Sequence, residues 1–172
     1  MPTKPSAPTA PLVRAVEEHD HEAVHAILTS RSVIAGTMRL PYAALHTTKE
    51  RLSPDPGVHR LVAEVDGTVA GFAELITSPG HPRAAHVGDL NMLCVHPDHE
   101  GRGVGRALLD AVLELADDWL SLTRLSLVVF ADNPRAARLY ERYGFEHEGV
   151  MRRLNRSRGT DVDGLMMARL RD

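Results

Sequence analysis

The chain has 172 residues, 43% of them hydrophobic, and a formal net charge of −3, which suits one domain with a full core and leaves a second domain unexpected. That balance excludes the basic surface a nucleic acid or an anionic membrane would need, and no apolar run approaches the ~18 residues of a membrane span. The N-terminus has no signal-peptide pattern, and the single cysteine, Cys94, excludes an intramolecular disulfide, so a reducing cytoplasm is predicted.

Residues 1–11, rich in Pro, Ser, Thr and Ala, predict a disordered or extended tail, with one domain over 12–172. A short strand is predicted over Leu12–Ala15. A helix follows from about Asp20 to Thr29, with Ala23, Val24, Ile27 and Leu28 on one face. Residues 30–57, punctuated by Gly36, Pro41, Pro54, Pro56 and Gly57, predict two loops around a short helix near 45–52. Arg60–Val65, Asp66-Gly67 and Thr68–Thr77 form a hairpin pattern around an Asp-Gly turn. A long strand over Ala85–Val95, a helix over Val104–Leu120 and a strand over Arg124–Phe130 come next. A helix over Asn133–Tyr143 and strands over Phe145–Met151 and Val162–Leu170 complete the order. Hairpins in the first half and strand–helix–strand units in the second predict a mixed α/β (α+β) fold.

Two segments carry the chemistry. In the first, an apolar strand stops at Pro97 and Gly101, Gly103 and Gly105 follow at every second position before a helix opens. Free amides and the positive end of the helix dipole then make a site for a phosphate or pyrophosphate, with Arg102 and Arg106 flanking it. The same glycines would also serve a plain tight turn that needs positive φ. In the second, Asn133 is a good N-cap and Pro134 a good first helical residue. Ala136, Leu139, Tyr140 and Tyr143 recur at helical spacing until Gly144 ends the helix.

With both segments in view the chain resembles the GNAT superfamily of acetyl-CoA-dependent N-acetyltransferases. That family pairs a loop written Gln/Arg-x-x-Gly-x-Gly/Ala with a later Asn-x-x-Ala-x-x-Leu-Tyr-x-x-x-Gly-Phe. Here the loop is Glu100-Gly-Arg-Gly-Val-Gly, and Asn133, Ala136, Leu139, Tyr140, Gly144 and Phe145 match the later motif at every fixed position. The resemblance implies a central, mostly antiparallel twisted sheet of six to seven strands, with the fourth and fifth splayed apart and about four flanking helices. It implies acetyl-CoA as cosubstrate, held by Leu93, Cys94, Val95, the backbone of Gly101, Arg102, Gly103, Val104, Gly105 and Arg106, and by Asn133 and Arg135, with Arg138 nearby. One departure is Glu100, where Gln or Arg is usual; its carboxylate is expected to point away from a pyrophosphate.

Tyr140 matches the tyrosine that reaches the CoA sulfur as general acid; a plain core aromatic on a helix face is the alternative. For the base, Asp89 stands eleven residues before Glu100, where protein-lysine acetyltransferases of the superfamily place a glutamate. Glu74 in the third strand is a second candidate and His86 a third. Each carboxylate could equally be a strand-end group paired with an arginine. Val128 stands where the branch that acetylates protein N-termini has a glutamate, which weakens that reading.

Met38, Arg39 and Tyr42, after the first helix, are the expected wall of an acceptor pocket, with His86 beside them. Arg152, Arg153, Arg156 and Arg158 resemble a basic segment of small-amine acetyltransferases, although a solvated hairpin explains them as well. Cys94 predicts a buried, inert thiol, and Trp119 a residue packing a helix end. Ten histidines (His19, His21, His25, His46, His59, His81, His86, His96, His99, His147) are scattered with no metal-site spacing, so no metal is expected. The predicted activity is acetyl transfer to a primary amine of a small molecule, an amino acid or a polyamine, by a cytoplasmic homodimer. A protein N-terminal or lysine acetyltransferase and a non-catalytic acyl-CoA sensor are the alternatives.

Overall fold

In the computed structural model, which describes residues 10–172, seven strands form one sheet in the order β1-β2-β3-β4-β5-β7-β6. They are β1 (Leu12–Ala15), β2 (Val58–Val65), β3 (Thr68–Thr77), β4 (Val87–Val95), β5 (Arg124–Phe130), β6 (Glu146–Ser157) and β7 (Thr160–Leu170). The helices are α1 (His21–Leu28), α2 (Arg31–Ala35), α3 (Leu45–Arg51), α4 (Val104–Glu114) and α5 (Pro134–Arg142). Every strand pairing is antiparallel except β4 with β5. The mixed sheet with one parallel pair is the predicted fold class. Of the tail predicted over 1–11, residues 1–9 lie outside the described residues.

Local chemistry accounts for most element ends. Asp66 and Gly67 both have positive φ (52° and 74°), the geometry that lets a two-residue turn follow the strand twist. The Asn133 side chain accepts from the Ala136 amide at 3.2 Å, and Pro134 opens α5 without a donor to satisfy. Three differences from the predicted elements stand out. The five-residue α2 occupies part of a predicted loop. The helix expected to reach Leu120 stops as α4 at Glu114 and continues as one wide turn, in which the Leu120 amide donates to the Leu115 carbonyl. That turn directs Ala116 and, beyond it, Leu122 inward and leaves Trp119 74% exposed, so Trp119 does not pack the helix end. Third, the basic segment is strand: β6 runs on to Ser157 and turns at Arg158 and Gly159 into β7.

The core has two halves, one on each face of the sheet. On one face α4 and α5 cover Ala63, Val65, Ala73 and Leu75. On the other, α1 and α2 cover Val62 and Phe72. Along β2 this is the plain alternation of a pleated strand, and β3 interrupts it once, where Ala63 pairs with Gly71 and Glu64 with Val69 and Ala70 is the extra residue. β4 breaks it as well. Leu90 packs with the α4 face, yet Met92 and Cys94 pack with the α1 face and Leu93 and Val95 with the α4 face. The cause is a β-bulge: Glu74 pairs with Met92 and Leu75 with Leu90, leaving Asn91 as the extra residue.

A buried carboxylate holds this bulge. Glu74, 3% exposed, accepts from Asn91 Nδ2 at 2.7 Å, from Arg51 on α3 and from Arg60 Nε on β2 at 3.0 Å. Gly71 on β3 sets the other face. A Cβ there would lie 2.6 Å from Val104 and 2.9 Å from Leu108, so its absence lets α4 lie directly on the sheet. Glu74→Ala should lower stability by about 3–5 kcal/mol, because it leaves two guanidiniums facing a buried gap. Urea unfolding measures this, and a loss too small to resolve would mean the cluster is not what holds the bulge.

Candidate active site

β4 and β5 are neighbours only at their first residues, through Val87↔Arg124, Gly88↔Leu125 and Asp89↔Ser126. Beyond that point no pairing joins them, so they diverge, as the resemblance implied. Asp89 sits at the fork, exposed, and its carboxylate accepts from the Ser126 hydroxyl. Two cavities open along β4 from here. One, of about 660 Å³, lies against Leu93, Cys94 and Val95. The other, of about 1090 Å³, lies against Asp89, Leu90, Asn91 and Met92. Gly36 and Thr37, just after α2, line both and mark where they meet.

The smaller cavity runs from β4 to the N-terminus of α4. Gly101 and Gly103 adopt φ of 76° and 82°, a left-handed turn that side chains rarely take, and Gly103 is the N-cap of α4. Amides of residues 104–106 therefore have no acceptor within the helix and point where an anion would sit. Gly101, Gly103, Val104, Gly105 and Arg106 line this cavity, as do Asn133 and Arg135. Arg102 does not, which corrects its predicted role: its guanidinium turns to Asp66 in the β2–β3 turn, at 3.1 Å. Arg138 is also outside it, and Arg142, one turn later, lines it instead. Glu100 is also among the residues lining the cavity, and its carboxylate is paired with Arg135 at 3.2 Å.

Tyr140 on α5 lines this cavity. It is 8% exposed, stacks edge-on against Phe145 with ring centroids 5.7 Å apart, and its hydroxyl has no hydrogen-bond partner among the described residues. Burial, with a smaller contribution from nearby Cys94, pushes its phenol well above the ordinary value. Cys94 is 8% exposed and its thiol is pushed up to about 12, by burial above all, so it stays protonated and unreactive.

The larger cavity is walled mainly by apolar side chains: Met38, Leu40, Tyr42, Val128, Met151 and Met166. Its charged groups are Arg39, Arg51, Asp89 and the Arg124–Glu148 pair, joined by two bonds of 2.7 and 2.6 Å. Of the predicted acceptor wall, Met38, Arg39 and Tyr42 line this cavity. His86 is not: it lines neither cavity, and only its carbonyl acts, accepting from the amides of Thr123 and Arg124. Glu74 also lines neither cavity. Its oxygens are held by three donors, so it is a framework group rather than a base. The four hairpin arginines lie outside both cavities. Arg153 and Arg156 pair with Asp161, at 3.5 and 2.5 Å, on a solvated surface. Missed in the sequence were Ser32, Val33, Gly36 and Thr37, for which no periodic signal existed, and Arg51, whose partners are distant in sequence.

The acetyltransferase (GNAT) family matches residues 17–145 of this chain. The L-amino acid N-acetyltransferase AaaT of Escherichia coli is 36% identical over 160 residues, 93% of this chain and 98% of the relative. A spermidine N(1)-acetyltransferase of Vibrio cholerae is 28% identical over 141 residues, 80% of this chain and 79% of the relative. A crystal structure of spermidine N-acetyltransferase from Vibrio cholerae, in complex with CoA and spermine, superposes with a TM-score of 0.82 at 26% identity, covering 93% of this chain and 95% of that one. Among the described residues no helix is long and apolar enough to cross a membrane. Motifs, fold and relatives agree: this chain is an acyltransferase of the GNAT acetyltransferase family.

Proposed function

We propose that the chain transfers an acetyl group from acetyl-CoA to a primary amine of a small molecule. The observation that carries this reading is the pair of cavities meeting along β4, one ending in a helix N-terminus built for an anion and the other walled for a small amphipathic molecule. Relatives that acetylate amino acids and spermidine support the same substrate range. The groups present fit CoA. A left-handed glycine turn leaves space for a pyrophosphate, since a Cβ on Gly101 or Gly103 would meet nothing within 4 Å, and Arg106 and Arg142 add positive charge.

Acetyl-CoA, when bound, supplies the acyl group as a thioester whose sulfur departs as a thiolate. The chain's own residues do the rest. Tyr140 holds a proton at its hydroxyl for that sulfur; because burial disfavours the phenolate, the proton stays in place at neutral and alkaline pH. Asp89, at the fork and on the acceptor cavity, takes the proton that the amine must lose, directly or through water. Beyond Asp89 the edge of β4 that no longer pairs with β5 offers amides for the thioester oxygen. The same reading includes a homodimer in the cytoplasm; β6, which ends the sheet, offers a free strand edge for pairing, and sedimentation of the purified protein tests it. Free-thiol release from acetyl-CoA with a panel of amines tests the reaction itself. A sensor that binds CoA without catalysis would release none, and a protein acetyltransferase would need a peptide acceptor.

Three variants probe the parts. Gly103→Asp should lose CoA binding in calorimetry while Gly103→Asn, which shares the backbone cost without the charge, keeps much of it; equal affinities would remove the pyrophosphate assignment. Tyr140→Phe should lower kcat by about 10²–10⁴-fold with little change in cofactor affinity. The wild-type kcat should show no falling limb below the ordinary phenol value of about 10, and one near neutrality would assign the acid elsewhere. Asp89→Asn should steepen the rise of kcat/KM with pH, because catalysis then relies on amine already neutral in solution. An unchanged profile would mean that Asp89 is not the base.

A further inference from the structure

The acceptor cavity holds positive charge that the protein does not balance. Arg39, Arg51 and Arg60 gather around one buried carboxylate, Glu74. Arg51 and Arg60 bond to it. Arg39 lies close enough to interact with Arg51 and Glu74, yet its guanidinium bonds to no side chain or carbonyl among the described residues. The Nε atoms of Arg39 and Arg51 are both buried without an acceptor, and both residues line the cavity. Buried guanidinium donors are costly unless an acceptor meets them, and here none of the cavity's own carboxylates bonds to Arg39: Asp89 accepts from Ser126, and Glu148 is paired with Arg124. The terminal nitrogens of Arg39, which bond to nothing among the described residues and are not sealed from the cavity, are left for an acceptor that a ligand brings. A phosphate of CoA is not suited to the part, because the anion cradle at residues 101–106 opens on the other cavity.

We propose that Arg39 and Arg51 form a carboxylate subsite in the acceptor cavity, so that the acceptor is a small molecule bearing both an amine and a carboxylate, an amino acid rather than a polyamine. This rests on the acetyl-transfer reading above. A carboxylate matches the planar guanidinium fork, and the two arginines offer it donors from α3 and from the segment after α2. Asp89 stands on the same cavity and suits the amine, so the site presents a cationic and an anionic group to a molecule that carries one of each. A polyamine has only cations. It would bring no acceptor for the unbonded Arg39 guanidinium and would place a second positive charge in reach of it.

The test compares leucine, leucinamide and spermidine as acceptors for the wild type, Arg39→Gln and Arg39→Lys. Arg39 lies on a partly exposed segment without bonds to the core, so these variants should fold. Leucine and leucinamide differ in amine pKa, but the ratio of their kcat/KM values cancels that difference when variants are compared. Arg39→Gln should lower the leucine-to-leucinamide ratio by about tenfold or more, the effect of losing one charge-assisted hydrogen bond, with Arg39→Lys between it and the wild type. N-acetyl-leucine titrated into the CoA-loaded protein should bind the wild type and lose affinity in Arg39→Gln. Turnover with an unchanged ratio overturns the subsite and leaves the acetyl-transfer reading standing. Arg39-dependent binding without turnover does the reverse. Spermidine preferred over leucine by the wild type, or neither turnover nor binding, overturns the subsite.

Discussion

The buried Glu74 carboxylate is the interaction on which the rest of the site depends. It joins α3, β2 and β4 at one point, through Arg51, Arg60 and Asn91, and it does so beneath the bulge in β4. Without the extra residue at Asn91, Cys94 would face α4 and Leu93 would face α1. With it, the strand delivers an inert thiol to one core and presents Leu93 and Val95 to the other, while the cavity against residues 93–95 adjoins the one against 89–92. A charge so deeply placed is a poor source of net stability and a strong constraint on geometry, because every alternative packing would leave it or its arginines unpaired.

A second constraint acts on the opposite face. Gly71 lets α4 approach β3 closely, and Val104, the residue that fills that contact, is also the first residue of the helix. Core packing and the proposed anion site thus share an element. The glycine turn cannot shift without moving Val104 and Leu108 out of the core, which pre-organises the amides of residues 104–106 before any ligand arrives. The divergence of β4 from β5 completes the arrangement: beyond Asp89 the backbone of β4 keeps β3 on one side and is open on the other, at the place where a ligand would lie.

Charge is distributed unevenly between the two cavities. In the smaller one Glu100 on the loop is paired with Arg135 on α5, which leaves the backbone and Arg106 and Arg142 for the anion proposed there. In the larger one the arginines outnumber their partners. Substrate selection by such a site depends on what the ligand carries, since the unpaired donors favour a molecule that completes them over one that does not.

Signals legible in the chain were those set by neighbours a few residues apart. The alternating glycines, Asn133 with Pro134, and Asp66 with Gly67 act through φ preference, a missing or capped N–H and helical period, so the loop, α5 and the hairpin were all readable, and with them the family. The reading failed where outcomes depend on distant partners. Glu74 looked like a candidate base, but its partners stand 14, 17 and 23 residues away, and only folding showed them gathered on one carboxylate. Arg102 looked like a phosphate ligand until Asp66, 36 residues distant, drew it aside. Trp119 was released by a wide turn that no periodicity encodes, and α2 is too short to show one. Sequence alone thus determined the glycine turn at the start of α4, where an anion is proposed to bind, and the place of Tyr140 on α5, because those rest on local geometry. Which charges are neutralised and which are left for a ligand was decided by the tertiary structure, because ion pairing depends on distance in space rather than along the chain.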